Sequence, residues 1–316
     1  MTHEQLDLFD MTFNPKPVEQ KVKETKVLAI KKQTMKIIKA AEDIEMSPVV
    51  DQIDFLHSIL CQVGMPRSET KELRFERRNG QAGILLEAGD LWHPDGHFEK
   101  QPLPSGTRPR LIMIHITSEA VKKKNKVIDL KDSPHEFLNA LGIAPTGSNY
   151  NSTRRQINAL AACRMTLGMG YITYKACPIE KFTAWVTKDK DQVAMWPGEI
   201  ELSDKFFNTM VAHAVPLDRR ALAVLKNSSL KLDIYTWLAQ RLCRIESKKG
   251  LELSWDRLKN QFGEEYSREN DFKREFERSL KAVLTVYPKA KVSSVLNGLI
   301  LLPSAPPVQK TQMLIS

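Results

Sequence analysis

The hydrophobic and polar positions of residues 127–202 predict a fixed order of short elements. An apolar run at 127–130 is typical of a strand. Ser133, Pro134 and Glu136 then have the spacing of a helix cap, a first-turn proline and a capping-box acid, which predicts a helix to Leu141. After a turn, the pattern predicts a second helix and three strands. They span 152–166, 171–174, 182–187 and 198–202.

The same order recurs near the end of the chain. Ser203 is expected to cap a helix over 204–214, and Pro216 to begin a long helical region that ends near Leu242. A strand, two helices and a hairpin follow, and Asn297-Gly298 is a strong signal for the tight turn of that hairpin. Their predicted bounds are 250–253, 255–262, 268–287 and 290–302.

Strand, helix, turn, helix and hairpin is the order of a winged helix. We therefore predict an α+β fold with two tandem winged-helix domains and a flexible N-terminal tail, a repeat of architecture and not of sequence. The predicted units are a tail at 1–45, a first domain at 46–202, a second at 203–304 and a C-terminal tail at 305–316.

The pattern before residue 127 is less regular. Prolines and charges over 14–26 indicate a linker. A short helix is expected over 46–60 and a strand pair over 73–86, whereas 90–110 has the composition of a loop. The apolar run at 111–116 fits either a strand or a buried helix, with a possible helix starting at Thr117.

Charge separates the two halves of this 316-residue chain. Residues 1–150 hold 21 basic and 21 acidic residues, whereas residues 151–316 hold 26 basic and 17 acidic ones. The whole net charge of +9 therefore lies in the second half. Such an excess favours a polyanionic partner, although a basic domain with no such partner has the same composition.

The helix predicted around residues 271–287 has two distinct faces at 100° per residue. The apolar face consists of Phe272, Phe276, Leu280 and Val283. The opposite face consists of Arg274, Glu277, Arg278 and Lys281. Arginine can bind guanine with two hydrogen bonds and glutamate can accept one from cytosine, so this face suits a major groove of double-stranded DNA.

Two lysines of this helix, Lys273 and Lys281, are better placed for phosphates. The alternative is a solvated helix face with local Glu–Arg pairs. The helix at 152–166 makes a weaker case: Arg154, Arg155 and Asn158 are expected to face outward together with Ala159. A packing or dimerisation face explains that second pattern equally well.

The sequence lacks the residues that several kinds of chemistry require. A phosphate-binding loop would need a lysine where Ser148 follows Gly147, and His93 and His97 flank a loop without a metal-binding pattern. The four cysteines have no metal or disulfide spacing, which fits a reducing cytosol. We expect no enzyme activity, no catalytic residues, no metal and no cofactor. The chain has no signal segment and no long apolar run, so we expect a cytoplasmic protein without a membrane partner.

The N-terminal peptide QLDLF consists of Gln5, Leu6, Asp7, Leu8 and Phe9. An apolar peptide on a polar tether suits docking into a partner's pocket, although it could also fold back on its own domain. It resembles, at all five positions, the pentapeptide with which bacterial proteins bind the polymerase sliding clamp.

Longer segments resemble the plasmid-encoded replication initiators of the RepA type over roughly residues 80–302. The matching segments are GTRPRL at 106–111, TSEA at 117–120, FLNALG at 137–142, LSDKFF at 202–207 and PLD at 216–218. The most specific one is LDIYTWLAQR at 232–241.

This resemblance implies a bacterial protein that binds repeats (iterons) at a plasmid origin through two winged helices. It implies duplex opening by monomers, repression of its own gene by dimers, and recruitment of the host initiator DnaA and the replicative helicase. Related initiators carry a clamp-binding peptide near the N-terminus. In this family the second winged helix usually reads bases, whereas the first contacts the DNA backbone or forms the dimer. By helix position, the base-reading role falls on the helix face around Arg274. The role in backbone contact or dimerisation falls on the face around Arg155.

Two other classes remain open from the sequence. A winged-helix transcriptional repressor without a replication role would have the same two domains, but no evident use for the clamp-like peptide. A primase or nicking enzyme is disfavoured because the sequence lacks the metal and tyrosine constellations that those reactions need.

Overall fold

The computed structural model describes residues 18–47, 53–93, 95–130, 133–176, 179–189 and 192–309. Up to residue 123 the described chain forms three helices and five strands. They are α1 (Val18–Met46), β1 (Ile53–His57), α2 (Ser58–Gln62), β2 (Arg74–Asn79), β3 (Ala82–Glu87), β4 (Asp90–His93), β5 (His97–Lys100) and α3 (Thr107–Lys123).

The first winged helix begins with α3 and ends at residue 201; we call it the first module. Its further elements are β6 (Val127–Asp129), α4 (Pro134–Ala140), α5 (Gly147–Ala162), β7 (Arg164–Met169), β8 (Ile172–Ala176), β9 (Lys181–Asp189) and β10 (Gln192–Glu201). The antiparallel sheet has the order β6-β10-β9. The hairpin β7–β8 leaves this sheet and joins β2 and β3 in a four-stranded sheet of order β2-β3-β7-β8.

The second winged helix begins with a long helix, and we call it the second module. The chain after β10 forms α6 (Asp204–Ala212), β11 (Ala214–Asp218), α7 (Arg219–Leu225), α8 (Ser229–Arg241), β12 (Leu251–Ser254), α9 (Trp255–Phe262), α10 (Glu269–Thr285), β13 (Val292–Val295) and β14 (Gly298–Leu301). The module runs from α8 to β14, and its sheet order β12-β14-β13 repeats that of the first module. The predicted α+β fold with two tandem winged helices is therefore confirmed.

Side-chain caps start α4 and α5 of the first module and α8 and α9 of the second. The Ser133 hydroxyl accepts the Glu136 N–H at the start of α4, and the Ser254 hydroxyl accepts the Arg257 N–H at the start of α9. At α5 the cap is Thr146, because the Thr146 hydroxyl accepts the Asn149 N–H. The helix therefore starts at Gly147, five residues before the predicted start at 152, and it ends at Ala162 before a strand.

The first helix of each module lies in the core. Helices α3 and α8 are buried on nearly all sides. A helix without a solvent face has no 3.6-residue polar period. This is why the apolar run at 111–116 is compatible, from the sequence, with either a strand or a buried helix. The predicted loop over 90–110 instead contains the hairpin β4–β5 and the first turn of α3, where Pro109 is tolerated.

Helix α1 differs from the flexible tail that the sequence predicted over residues 1–45. Residues 18–46 are helical, and the helix packs against α7 and α10. Ile37 and Ala40 are buried, and the Gln33 side chain donates to the Val224 carbonyl at 2.7 Å. These tertiary contacts stabilise a helix that the proline and charge content of its start disfavoured. The short helix expected over 46–60 is also wrong, since β1 and α2 occupy residues 53–62.

Strand β11 lies between the two modules in the sequence and contacts β1, which precedes the first module. It pairs antiparallel with β1, and Phe55 lies opposite Pro216. Proline is tolerated there because this two-stranded sheet has free edges. The predicted helical start at Pro216 is therefore wrong: α7 begins after Asp218, whose carboxylate accepts the Arg220 N–H at 2.9 Å. One continuous hydrophobic core includes residues of both modules.

Candidate nucleic-acid interface

Helix α10 is the third helix of the second module and has the position of a recognition helix. Phe272, Phe276, Leu280 and Val283 are buried, as the apolar period predicted. The Phe276 ring lies 5.4 Å from the Phe262 ring and 6.1 Å from the Trp255 ring, measured between centroids. This aromatic packing fixes α10 on α9 and leaves the opposite face free.

The free face of α10 presents the predicted residues. Arg274, Arg278 and Lys281 are exposed, and Glu277 is half-buried. Arg274 pairs with Asp271 at 2.7 Å, and Arg278 pairs with Glu275 at 2.8 Å. The side chains of Arg274 and Arg278 are still 77% and 68% exposed. Exposed pairs of this kind contribute at most about 1 kcal/mol, so a DNA ligand can replace them.

Two residues of the α10 face have partners that the sequence did not reveal. Glu277 Oε1 accepts a hydrogen bond from the Ser294 hydroxyl at 3.2 Å, which ties it to strand β13. Lys273 Nζ lies 4.9 Å from the centroid of the Trp255 ring, a cation–π contact. Both side chains are therefore oriented before any ligand binds.

The hairpin β13–β14 forms the wing of the second module. Its turn is attached to α9, because the Trp255 N–H and indole N–H donate to the Asn297 and Leu296 carbonyls at 3.1 and 3.3 Å. At Gly298 (φ 154°) a Cβ atom would lie 1.9 Å from the Leu253 carbonyl, so only glycine fits. The wing tip exposes Leu296, whose side chain the sequence analysis did not single out and which is 88% exposed.

Helix α5 has the position of a recognition helix in the first module, and its face differs from the prediction in part. Arg155 is exposed but pairs with Glu69, whereas Arg154 and Asn158 are half-buried. Ala159, expected to face outward, is only 1% exposed because α5 packs against α3 and β4. The prediction for Ala159 is therefore wrong.

The first turns of α5 are exposed, where the sequence predicts a turn. Ser148 and Asn151 face solvent next to Arg155. The N-terminal residues of a recognition helix are those that approach base edges in helix-turn-helix proteins. The signal that could have found them is Thr146, a capping residue three positions before Asn149.

A buried charge centre lies where the two modules meet. Asp233 of α8 accepts two hydrogen bonds from Arg110 of α3, at 2.6 and 2.9 Å, and one from Arg67 at 3.2 Å. Burial alone would raise the pKa of Asp233, but the charges of Arg110 and Arg67 hold it below its ordinary value. The carboxylate is therefore ionised at neutral pH.

The charge centre extends to the turn before α10. Arg77 of β2 pairs with Glu264 at 2.8 Å, and Arg67 pairs with Glu265 at 3.6 Å. Arg67 also donates to the Phe262 carbonyl at the end of α9. Residues outside the second module thus hold the α9–α10 turn, which relates the direction of α10 to that of the first module.

A search of the described residues finds no group of three or more His, Cys, Asp or Glu that could hold a metal ion. No helix among those residues is long and apolar enough to cross a membrane.

Two solved structures are similar to this chain. The crystal structure of domains 2 and 3 of RctB, from selenomethionine derivatives, is similar with a TM-score of 0.50 and 11% identity, covering 78% of this chain and 98% of that one. A structure of RctB residues 155–483 has a TM-score of 0.46 and 11% identity, covering 74% and 83%. No curated protein matches.

The family model of the plasmid-encoded RepA protein matches residues 103–257. This match confirms the resemblance to RepA-type replication initiators that the sequence predicted. The matched segment runs from just before α3 into α9, so α10 and its wing lie beyond it.

Proposed function

We propose that this chain initiates plasmid replication by binding iterons at the origin through its two recognition helices. The observation that carries the proposal is the repeated module: α5 and α10 each follow a capped helix, and each leaves polar side chains exposed. The buried Asp233 centre supports a fixed relation between the two helices, which suits DNA repeats of constant length. The match of residues 103–257 to the RepA family model supports a role in replication.

The roles of individual residues belong to this proposal. Arg274 and Arg278 read base edges, with Glu277 as an acceptor. Lys281 and Lys273 contact phosphates. On α5, Arg154, Arg155 and Asn158 contact the DNA backbone or a second copy of the chain.

Duplex opening, repression of its own gene, and recruitment of DnaA and the replicative helicase are also part of the proposal. Because a plasmid origin lies in the bacterial cytoplasm, the chain acts there. The peptide Gln5–Phe9 lies outside the described residues, and its sequence alone supports binding to the sliding clamp.

Footprinting on the DNA that flanks the gene tests this function. We expect protection of evenly spaced direct repeats at roughly 20-base intervals, consistent with two helical turns. A single palindromic site without origin activity would instead favour the transcriptional repressor.

The clamp contact has its own test. Changing Leu8 and Phe9 to alanine should abolish binding to purified sliding clamp and leave DNA binding intact. Unchanged clamp binding by this variant would rule out the pentapeptide as the docking segment.

A further inference from the structure

The second recognition helix carries little net charge. Its two exposed arginines pair with acids of the same helix, and Glu277 adds another negative charge. A protein that binds DNA obtains most of its affinity from cations at phosphates. Beyond Lys273 and Lys281, further cations that serve α10 must therefore lie on neighbouring elements.

Helix α1 is the neighbour that carries them. It packs along α7 and reaches α10. Between residues 29 and 41 it contains four lysines and no acid. All four are exposed and none pairs with a described residue; they are Lys31, Lys32, Lys36 and Lys39.

The four lysines share one face of α1. At 100° per residue they fall within an arc of about 140°, in which Met35 is the one other residue between positions 31 and 39. The acids Glu42 and Asp43 continue this face in the next turn. They extend over about 12 Å of helix axis at 1.5 Å per residue. A duplex presents one phosphate per 3.4 Å of each strand, so this length matches several phosphates.

Two lysines connect this face to α10. Lys226 at the end of α7 and Lys231 in the first turns of α8 are both half-buried. Burial lowers the pKa of Lys226, and the charge of Lys36 lowers it further. Burial also lowers the pKa of Lys231; the charge of Arg278 adds to this effect and that of Glu275 opposes it. Like charges are therefore near one another along a path from α1 to Arg278.

This arrangement is unlike an ordinary solvated helix face. Such faces alternate signs, as α10 itself does with Asp271 and Arg274. On α1, Lys32 and Lys36 are four residues apart and Lys36 and Lys39 three apart, so like charges face each other and destabilise the isolated helix. A polyanion that binds across them removes this repulsion.

We propose that α1 is a phosphate-binding helix that flanks α10 and grips the DNA backbone next to the groove that α10 enters. It supplies affinity for any duplex and no sequence preference, whereas α10 supplies preference. This inference rests on the proposed DNA-binding function.

The test compares two double variants of the full-length chain. The first is Lys32→Gln with Lys36→Gln on α1. The matched control is Lys248→Gln with Lys249→Gln, two exposed lysines beside the end of β12 that lies away from the wing turn. Binding to a random-sequence 30-base-pair duplex is measured between 50 and 300 mM salt. Circular dichroism and thermal unfolding check that both variants fold.

We expect the α1 variant to lose about 5- to 10-fold in affinity per lysine at 0.1 M salt, and its salt slope to fall by about 0.9 per lost phosphate contact. The control should keep the wild-type slope. The pair Lys32→Arg with Lys36→Arg should bind like wild type, since charge is what α1 supplies.

The remaining outcomes separate this inference from the proposed function. If the α1 variant and the control behave alike while wild type binds the repeat in preference to a scrambled repeat, the α1 inference fails and the function stands. A loss confined to the repeat would also overturn it, because phosphate contacts act on all sequences. If wild type shows no preference between repeat and scrambled DNA, the iteron function fails, whatever α1 does.

Discussion

The two recognition helices have the same place in their modules but very different surroundings. Helix α10 packs on one side only, through Phe272 and Phe276, and its two exposed arginines are held by acids of its own sequence. Helix α5 packs against α3 and β4, and its exposed Arg155 pairs with Glu69 from a distant part of the chain. A helix whose arginines pair with acids of the same helix can exchange those pairs for contacts with DNA bases. A helix whose arginine pairs with a distant part of the chain is better suited to fixing the position of the protein on the DNA.

The largest expected effect comes from breaking the link between the modules. Asp233→Asn leaves Arg110 and Arg67 buried without their carboxylate, so we expect the free energy of unfolding to fall by about 3–5 kcal/mol. Chemical denaturation measures it. The control Asp256→Asn, at an exposed position on α9, should change the free energy by less than about 0.5 kcal/mol. Equal effects of the two variants would contradict a structural role for the centre.

The same carboxylate gives a pH dependence with a definite sign. The folded pKa of Asp233 lies below its ordinary value, so its stabilisation is present above the unfolded pKa of about 3.9. That stabilisation is lost as the pH falls through the lower, folded pKa. The wild-type chain should therefore lose stability more steeply than Asp233→Asn below about pH 4. Parallel curves would show that Asp233 does not titrate with folding.

The next effect concerns sequence preference. Arg274→Ala should weaken the binding free energy by about 1–3 kcal/mol on the repeat and by much less on a scrambled duplex. Competition binding with the two duplexes measures the difference. An equal loss on both would assign Arg274 to a phosphate.

The counterpart on α5 should behave in the opposite way. Arg155→Ala should weaken binding to the repeat and to the scrambled duplex by the same factor and lower the salt slope by about 1. Titrations at several salt concentrations measure this. A loss on the repeat alone would make α5 a base-reading helix and remove the difference between the modules.

The smallest effect tests the intrahelical pairs of α10. Asp271→Asn releases Arg274 and removes one negative charge from the face. Since exposed pairs contribute little, affinity for all duplexes should rise by about two- to fivefold, equivalent to less than 1 kcal/mol. Weaker binding would mean that Asp271 holds Arg274 in the orientation that DNA requires.

The sequence predicted the elements whose signals are local. Ser133, Ser254 and Asn297-Gly298 define caps and a turn within a few residues, so both modules were found. The α10 stripe was correct because one side of that helix faces water. In contrast, the inward position of Ala159 depends on packing against α3 and β4, and the helical state of residues 18–46 depends on contacts with α7. Such long-range contacts leave no local pattern. The partner of Glu277 was missed for the same reason, since Ser294 is 17 residues away.

The pairing of β1 with β11 has a consequence for how this protein can be taken apart. A fragment that starts after the first module would carry β11 without its partner, leaving unpaired backbone groups and uncovered apolar side chains at residues 215 and 217. A fragment that ends with the first module would keep β1 without β11, and Phe55 would lose the strand residue opposite it. The two modules therefore cannot be separated as independent units. Recombination between related plasmid genes is expected to preserve residues 53–218 together.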